Sequence, residues 1–407
     1  MNPLLACAAI LVAIIEGCSR TTLPIEEVET ASVEDDAGSV ETAAPPRGPI
    51  PGDAWLQVGH DARHTARSTA SPARNPRRRH TIAVALDEWL IPVLVIDELS
   101  RPYVASADSV RAFDSSGAIR WTREVPKVAG VALMGERTVI ATTRDGLLYR
   151  FDRDGRELGS VVVRTGTHNA SAPVIAHDNV FVTYHQDTEW YVCAADSWCT
   201  AVGRGASLPT IAPDGTVWVA AGDGLTRLSA KGELLPRLHH FPLHAVVLAD
   251  DGTPRIVVED SSRGYGVVGI REDGERTFEF FLHKVIAQPP VVAADGVAYV
   301  PSAGGPFAVR SDGTLVWTVE AKTRPSRDFH AWEWMALAGD GTLIVTDETP
   351  ALHGVLDGRV LYTLPRSGAP LEAGAYNGRV AIAPDGTIYA TGPASWKDRV
   401  AYIDVYW

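Results

Sequence analysis

The sequence predicts an all-β fold, an eight-bladed β-propeller of four-stranded antiparallel blades closed by an N-terminal strand. Three observations carry this reading. A turn-and-strand phrase recurs, as "APDGTVWVA" at 212–220 and as "APDGTIYAT" at 383–391. Versions of its turn fall at Gly135, Asp178, Asp214, Asp251, Asp295, Asp340 and Asp385, roughly 36 to 45 residues apart, with a degenerate copy near Leu99. That spacing, with four strands per unit, is the period of propeller blades. Finally, no helical period competes anywhere in the body, and 36 glycines and 27 prolines suit many short strands joined by turns.

Taken from the N-terminus, residues 1–17 read as a lipoprotein signal peptide. "LLACAAILVAII" at 4–15 is apolar but too short for a helix that spans a bilayer, which takes about 20 residues. It ends in "IEGC", which resembles a bacterial lipobox and implies lipidation of Cys18. Residues 18–54 read as a disordered acidic tether, rich in Glu, Asp and Pro and without an aromatic residue; such a stretch buries too little apolar surface to offset chain entropy. The basic run "RNPRRR" at 74–79 reads as a solvated linker. Residues 55–407 form the propeller.

Within each unit the Asp-Gly turn joins two alternating runs, such as "TVWVAA" and "TLIVTD" after the turn, because Gly accepts positive φ without a Cβ clash. A third run, a second turn and a fourth run complete the meander, as in "LLYRFDRDG". The inner strand of blade 1 is expected at 89–97. The chain ends "VAYIDVYW", which fits the third strand of blade 8 and leaves its outer edge bare. An exposed edge invites aggregation, and "HTIAVAL" at 80–86 is placed to cover it and lock the ring.

Cys193 and Cys199 flank "AADSW" in a strand-turn-strand pattern. In an exported, oxidising setting a disulfide across that hairpin is expected, two unpaired thiols being the alternative. The net charge of −13 opposes non-specific binding to nucleic acid, which requires dense Lys and Arg.

"ASAPVIAHDNVFVTY", "ASLPTIAPDGTVWVA" and "IAQPPVVAADGVAYV" resemble the inner-strand, turn and second-strand pattern of the PQQ-like (quinoprotein-like) β-propeller repeats. "AFDSSGAIRW", ending at Trp121, and "SDGTLVW", ending at Trp317, resemble that group's Gly-turn and Trp signature. The lead-in "WLQVGHDARHTARS" is similar to the segment that often precedes such repeats. The resemblance implies a quinone with calcium for the family's dehydrogenases, which typically carry an adjacent Cys-Cys pair; here five residues separate the cysteines and no calcium-ligand constellation appears. It is similar also to non-catalytic lipoproteins, among them the scaffold of the outer-membrane protein assembly machinery. No cofactor is expected.

Loops joining second to third strands, and those joining blades, converge on one face around the channel. They supply Trp190 (beside His185), Arg263, Tyr265, Trp396 and Lys397, and the long link 321–334 supplies Arg324, Arg327, His330, Trp332 and Trp334. Trp, Tyr and Arg dominate interface hot spots; the competing reading packs the aromatics between blades. His60, Asp61 and His64, and His239, His240 and His244, form no complete metal-ligand set. No nucleophile elbow or phosphate loop appears, and Asp328, Glu333 and His330 are the first suspects for hydrolytic chemistry. The expected protein is a lipid-anchored, non-catalytic scaffold of the cell envelope that binds a protein or glycan through loops on one face. It would touch the membrane through its anchor alone, on the outer-membrane or periplasmic side, or else be secreted. Outer-membrane assembly and a quinone- or carbohydrate-active enzyme are the alternatives.

Overall fold

Short alternating strands, each closed by a local turn, repeat around a central channel. The structure, a computed structural model, describes residues 54–86, 92–222, 224–286, 288–319, 334–346, 351–367, 379–391 and 399–407. Every regular element among them is a strand. They make eight antiparallel sheets, each ordered from an inner to an outer strand. Inner strands run Val93–Ile96, Val128–Met134, Val174–Ala176, Thr210–Ile211, Val247–Leu248, Val291–Val292, Met335–Leu337 and Val380–Ile382 for blades 1 to 8. Of the stretch 89–97 expected for blade 1, residues 89–91 lie outside the described residues.

The Asp-Gly turns joining first to second strands are longer than a two-residue hairpin. In blade 4 the Ala212 amide donates to the Thr216 carbonyl, and the Gly215 amide donates back to Ala212. Gly215 takes φ +86°, and the Asp214 carboxylate accepts from the Thr216 amide at 2.9 Å. This is a type I turn followed by a left-handed residue, fastened by an Asx bond. Blades 5 to 8 repeat the carboxylate contact at Asp251, Asp295, Asp340 and Asp385.

Two blades depart from four strands. In blade 3 the inner position is split into Asn169–Ala170 and Val174–Ala176, both paired with Asn179–Gln186. In blade 4 the outer strand is reduced to the isolated bridges Leu228↔Leu234 and Leu225↔Leu238. Pro236 sits between them and has no amide to offer a ladder.

Neighbouring blades dock through outer-strand aromatics. Trp121 of blade 1 donates its indole N–H to the Arg153 carbonyl of blade 2 at 2.9 Å. Its ring lies where a Cβ on Gly155 would come within 2.6 Å. Trp198 repeats this from blade 3 onto Ala230 and Gly232 of blade 4, and Trp317 from blade 6 onto Gly358 of blade 7.

The ring closes as expected. Strand Arg78–Ala85 pairs antiparallel with Val400–Tyr406, matching Ile82 to Ile403 and Val84 to Ala401. It becomes the outer strand of blade 8, and its His80 lies over Gly117 of blade 1, continuing the docking pattern across the seam. Arg78 and Arg79, read from sequence as linker, therefore belong to the closing strand. Ile82 and Val84 are buried in a core shared by blades 1, 7 and 8. The Cys193–Cys199 disulfide forms between directly paired residues of blade 3, with S–S 2.05 Å.

Removing the apolar content of the closing strand should cost far more than removing its charge. Ile82→Ala is expected to destabilise the fold by about 2–5 kcal/mol. Arg78→Ala should cost at most about 1 kcal/mol, because Thr81 and the Ser367 amide still satisfy Asp404. Urea unfolding of both variants checks this ordering.

Candidate functional site

The lead-in, residues 55–71, runs inside the ring against the inner strands. The amides of Ile96, Leu133, Ile211, Leu248, Val292 and Leu337 donate to the carbonyls of Trp55, Leu56, Ala62, Arg63, Thr65 and Ala66, at 2.8 to 3.3 Å. Ile175 of blade 3 donates to the Gln57 side chain instead, at 2.5 Å. One segment thus meets blades 1 to 7 in chain order. It passes so close to blade 8 that a Cβ on Gly386 would lie 2.4 Å from the Ser71 carbonyl.

Of the residues considered for a metal, His64 and Asp61 serve this segment. The buried His64 ring lies between two carbonyls, with that of Val58 2.9 Å from Nδ1 and that of Pro209 3.0 Å from Nε2. Asp61 accepts from the amides of Arg63 and Thr65 and from the Thr65 hydroxyl. Burial alone would raise its carboxyl, but His60 beside it and the Thr65 bonds outweigh burial and hold it well below the usual carboxylate range. Arg63 and Arg67 both reach Asp250 of blade 5.

The first-to-second turns lie at the strand ends the lead-in meets, and the second-to-third turns lie on the opposite face. There, Asp260 caps its turn by accepting from the amides of Ser262 and Arg263. Arg263 donates to Glu279 at 2.5 Å and lies 3.8 Å over the Phe281 ring. Tyr265, on the same hairpin, pairs with Glu259 and Leu282. Burial, then Glu259, pushes its hydroxyl up. Trp190 stands two blades away, stacked on His185 at 4.9 Å and half-buried against the core of blades 3 and 4. Arg263 and Tyr265 are therefore brought together and Trp190 is not. Arg324, Arg327, Asp328, His330, Trp332, Glu333, Trp396 and Lys397, like Cys18, lie outside the described residues.

At the centre of this face is a cavity of about 240 Å³, floored by Trp55, Val58 and His64 and walled by the starts of inner strands. Leu94, Leu208, Pro290 and Met335 make it mostly apolar. Arg379 enters it from the start of blade 8, its guanidinium 5.2 Å from the centre of the Trp334 ring. Burial pushes that guanidinium down to about 10. Its Nε and Nη1 are buried and find no hydrogen-bond partner among the described residues. His244 donates from Nε2 to the Ile286 carbonyl, and burial pulls its ring down against that bond. Reading from sequence missed Arg379. The signal available was an Arg opening an inner strand, in "GRVAIAPDG", where blades 3 and 4 carry "ASAP" and "ASLP".

Ring, repeats and Trp docking define the class: the chain folds as a PQQ-like, eight-bladed β-propeller. The family model described as outer membrane protein assembly factor BamB matches residues 106–235. Among solved structures, BamB from Moraxella catarrhalis is similar with TM-score 0.56 and 17% identity, over 79% of this chain and 98% of that one. Quinohemoprotein alcohol dehydrogenase from Comamonas testosteroni gives 0.61 and 13%, over 88% and 81%. The computationally designed Ika8 protein gives 0.57 and 12%, over 80% and 96%. No curated protein sequence matches. At these identities the structural likeness concerns fold alone. A quinone with calcium does not fit the cavity: its described lining holds no Asp or Glu to ligate the ion, and the disulfide lies in the third-to-fourth hairpin of blade 3, outside that lining.

Asp61→Asn should lower stability near neutral pH by about 1–3 kcal/mol, since it weakens several hydrogen bonds at once. Because the folded carboxyl lies below its unfolded value, its contribution is full above about pH 4 and is lost as pH falls through the folded value. The gap between wild type and variant in urea midpoint should therefore narrow below about pH 4.

Proposed function

We propose that this chain is an exported, lipid-anchored, non-catalytic scaffold of the cell envelope, which binds a protein partner through the second-to-third loops of one face. The observation that carries the reading is the eight-bladed ring similar to BamB over 98% of that chain, together with a match to a family described by an outer-membrane assembly role. Outer-membrane assembly is the specific process this reading favours. The anchor rests on the lipobox resemblance at Cys18, and the acidic tether would set the distance from the membrane. No step here needs covalent chemistry: affinity comes from preformed loops.

Arg263 and Tyr265 are the described residues best suited to the contact. Arg263 is fixed by Glu279, Asp260 and Phe281, so little side-chain freedom remains to be lost on binding. The sequence-based candidates Trp190, Arg324, Arg327, His330, Trp332, Trp396 and Lys397 belong to the same proposal.

Two measurements test it. A photo-crosslinker at Tyr265 should capture an envelope protein in intact cells, and Arg263→Glu should reduce the yield at least about tenfold, as expected for a hot-spot charge. Loss of the product only on unfolding would count against this face. Cys18→Ser should move the chain from the membrane to the soluble fraction; unchanged fractionation would defeat the anchor.

A further inference from the structure

We infer that the central cavity is a binding site for a small organic carboxylate with an apolar body, held by Arg379. This stands apart from the partner-binding reading and uses none of the residues proposed for that contact.

The argument starts from an unmet requirement. A guanidinium is protonated throughout the physiological range and presents five donors. A charge removed from water is costly unless paired and hydrogen-bonded. The Nε and Nη1 of Arg379 are buried and without a partner among the described residues, and the cavity's described lining contains no carboxylate. The Trp334 ring, at 5.2 Å, supplies a cation–π contact but accepts no N–H hydrogen bond in the guanidinium plane. An anion entering the cavity would supply what is missing.

The class of anion follows from the walls. The planar guanidinium fork matches a carboxylate with two parallel hydrogen bonds. His64 and His244 already face carbonyls with the nitrogens described above, so one cation is left for one negative charge. Around it stand Leu94, Leu208, Pro290, Met335 and Val380, which fit a hydrocarbon or aromatic body and give a highly charged phosphate nothing to bind. The volume, about 240 Å³, lies just below the range of about 300–1,000 Å³ for ordinary ligand pockets, which sets the ligand at the size of a simple aromatic or short-chain acid.

The test uses the full chain and titration calorimetry with benzoate, phenylacetate and hexanoate, each against its matched alcohol, and with inorganic phosphate. At least one acid should bind with millimolar affinity or better, at least about tenfold more tightly than its alcohol. Arg379→Met should abolish that preference while leaving the thermal midpoint of the free protein equal or higher, because it removes a partly buried charge with two unpartnered nitrogens. Arg379→Lys, which keeps charge without the fork, should bind the acid more weakly than wild type. The proposal is overturned if no acid binds, if acid and alcohol bind alike, or if phosphate binds and the acids do not. It is overturned equally if Arg379→Met sharply lowers the free protein's midpoint, which would mean that the guanidinium is already paired.

Discussion

The structure depends on how the inner strands satisfy their backbone amides. In a ring of eight sheets, one edge of each innermost strand faces the channel and has no strand to pair with. A buried amide without a partner costs roughly 1–3 kcal/mol, so a channel lined by such edges must be wet or filled. Here the lead-in fills it, offering successive acceptors from Trp55 to Ala66 to blades 1 through 7. Asp61 and His64 hold the lead-in in the shape that makes this possible, one by gathering the amides of Arg63 and Thr65, the other by bridging the Val58 and Pro209 carbonyls. The segment closes the channel at the end of the first-to-second turns, which leaves the cavity on the opposite side.

Rigidity around the circumference comes from a second, separate device. Trp121, Trp198 and Trp317 each seat on a glycine turn of the next blade, and the closing strand brings His80 onto Gly117 where last and first blades meet. A side chain at Gly155 would drive into the Trp121 ring, and its φ of +81° is one that other residues rarely adopt. The hub and the rim are thus held independently, and loops distant in sequence keep fixed relative positions.

Features that depend on local sequence were readable before the structure. Asp-Gly turns bring their own conformational preference, the disulfide joins residues on one short hairpin, and the bare edge of the last sheet called for a covering strand. Features that depend on closure were not. The lead-in carries no strand period, since its backbone carbonyls reach six different sheets, the Gln57 side chain reaches a seventh, and its side chains follow no single surface. Hence the sequence of His60, Asp61 and His64 shows only that they make no complete metal-ligand set, and not that Asp61 and His64 fasten the hub. The fourth strand of blade 4 was assumed from the repeat, although Pro236 denies it a ladder. Arg379 was invisible as a site residue because its meaning lies in what surrounds it: the Trp334 face and apolar walls from other blades.

The two candidate sites also differ in what holds them. Arg263 is positioned by Asp260, Glu279 and Phe281, all of blade 5. The cavity is built by blades 1, 4, 5, 6, 7 and 8 with the lead-in as its floor, so its shape belongs to the ring as a whole. Coupling between sites requires an element with two arrangements that both sites bias. The contacts of Arg263 stay within one sheet, and those of the cavity are distributed around a closed hub fastened in chain order, so among the described residues no such element links them. A partner held by Arg263 and Tyr265 and an anion in the channel would then act on the same face without altering each other's affinity. That independence follows from closure: a ring whose inner-strand amides are already satisfied has little freedom to transmit.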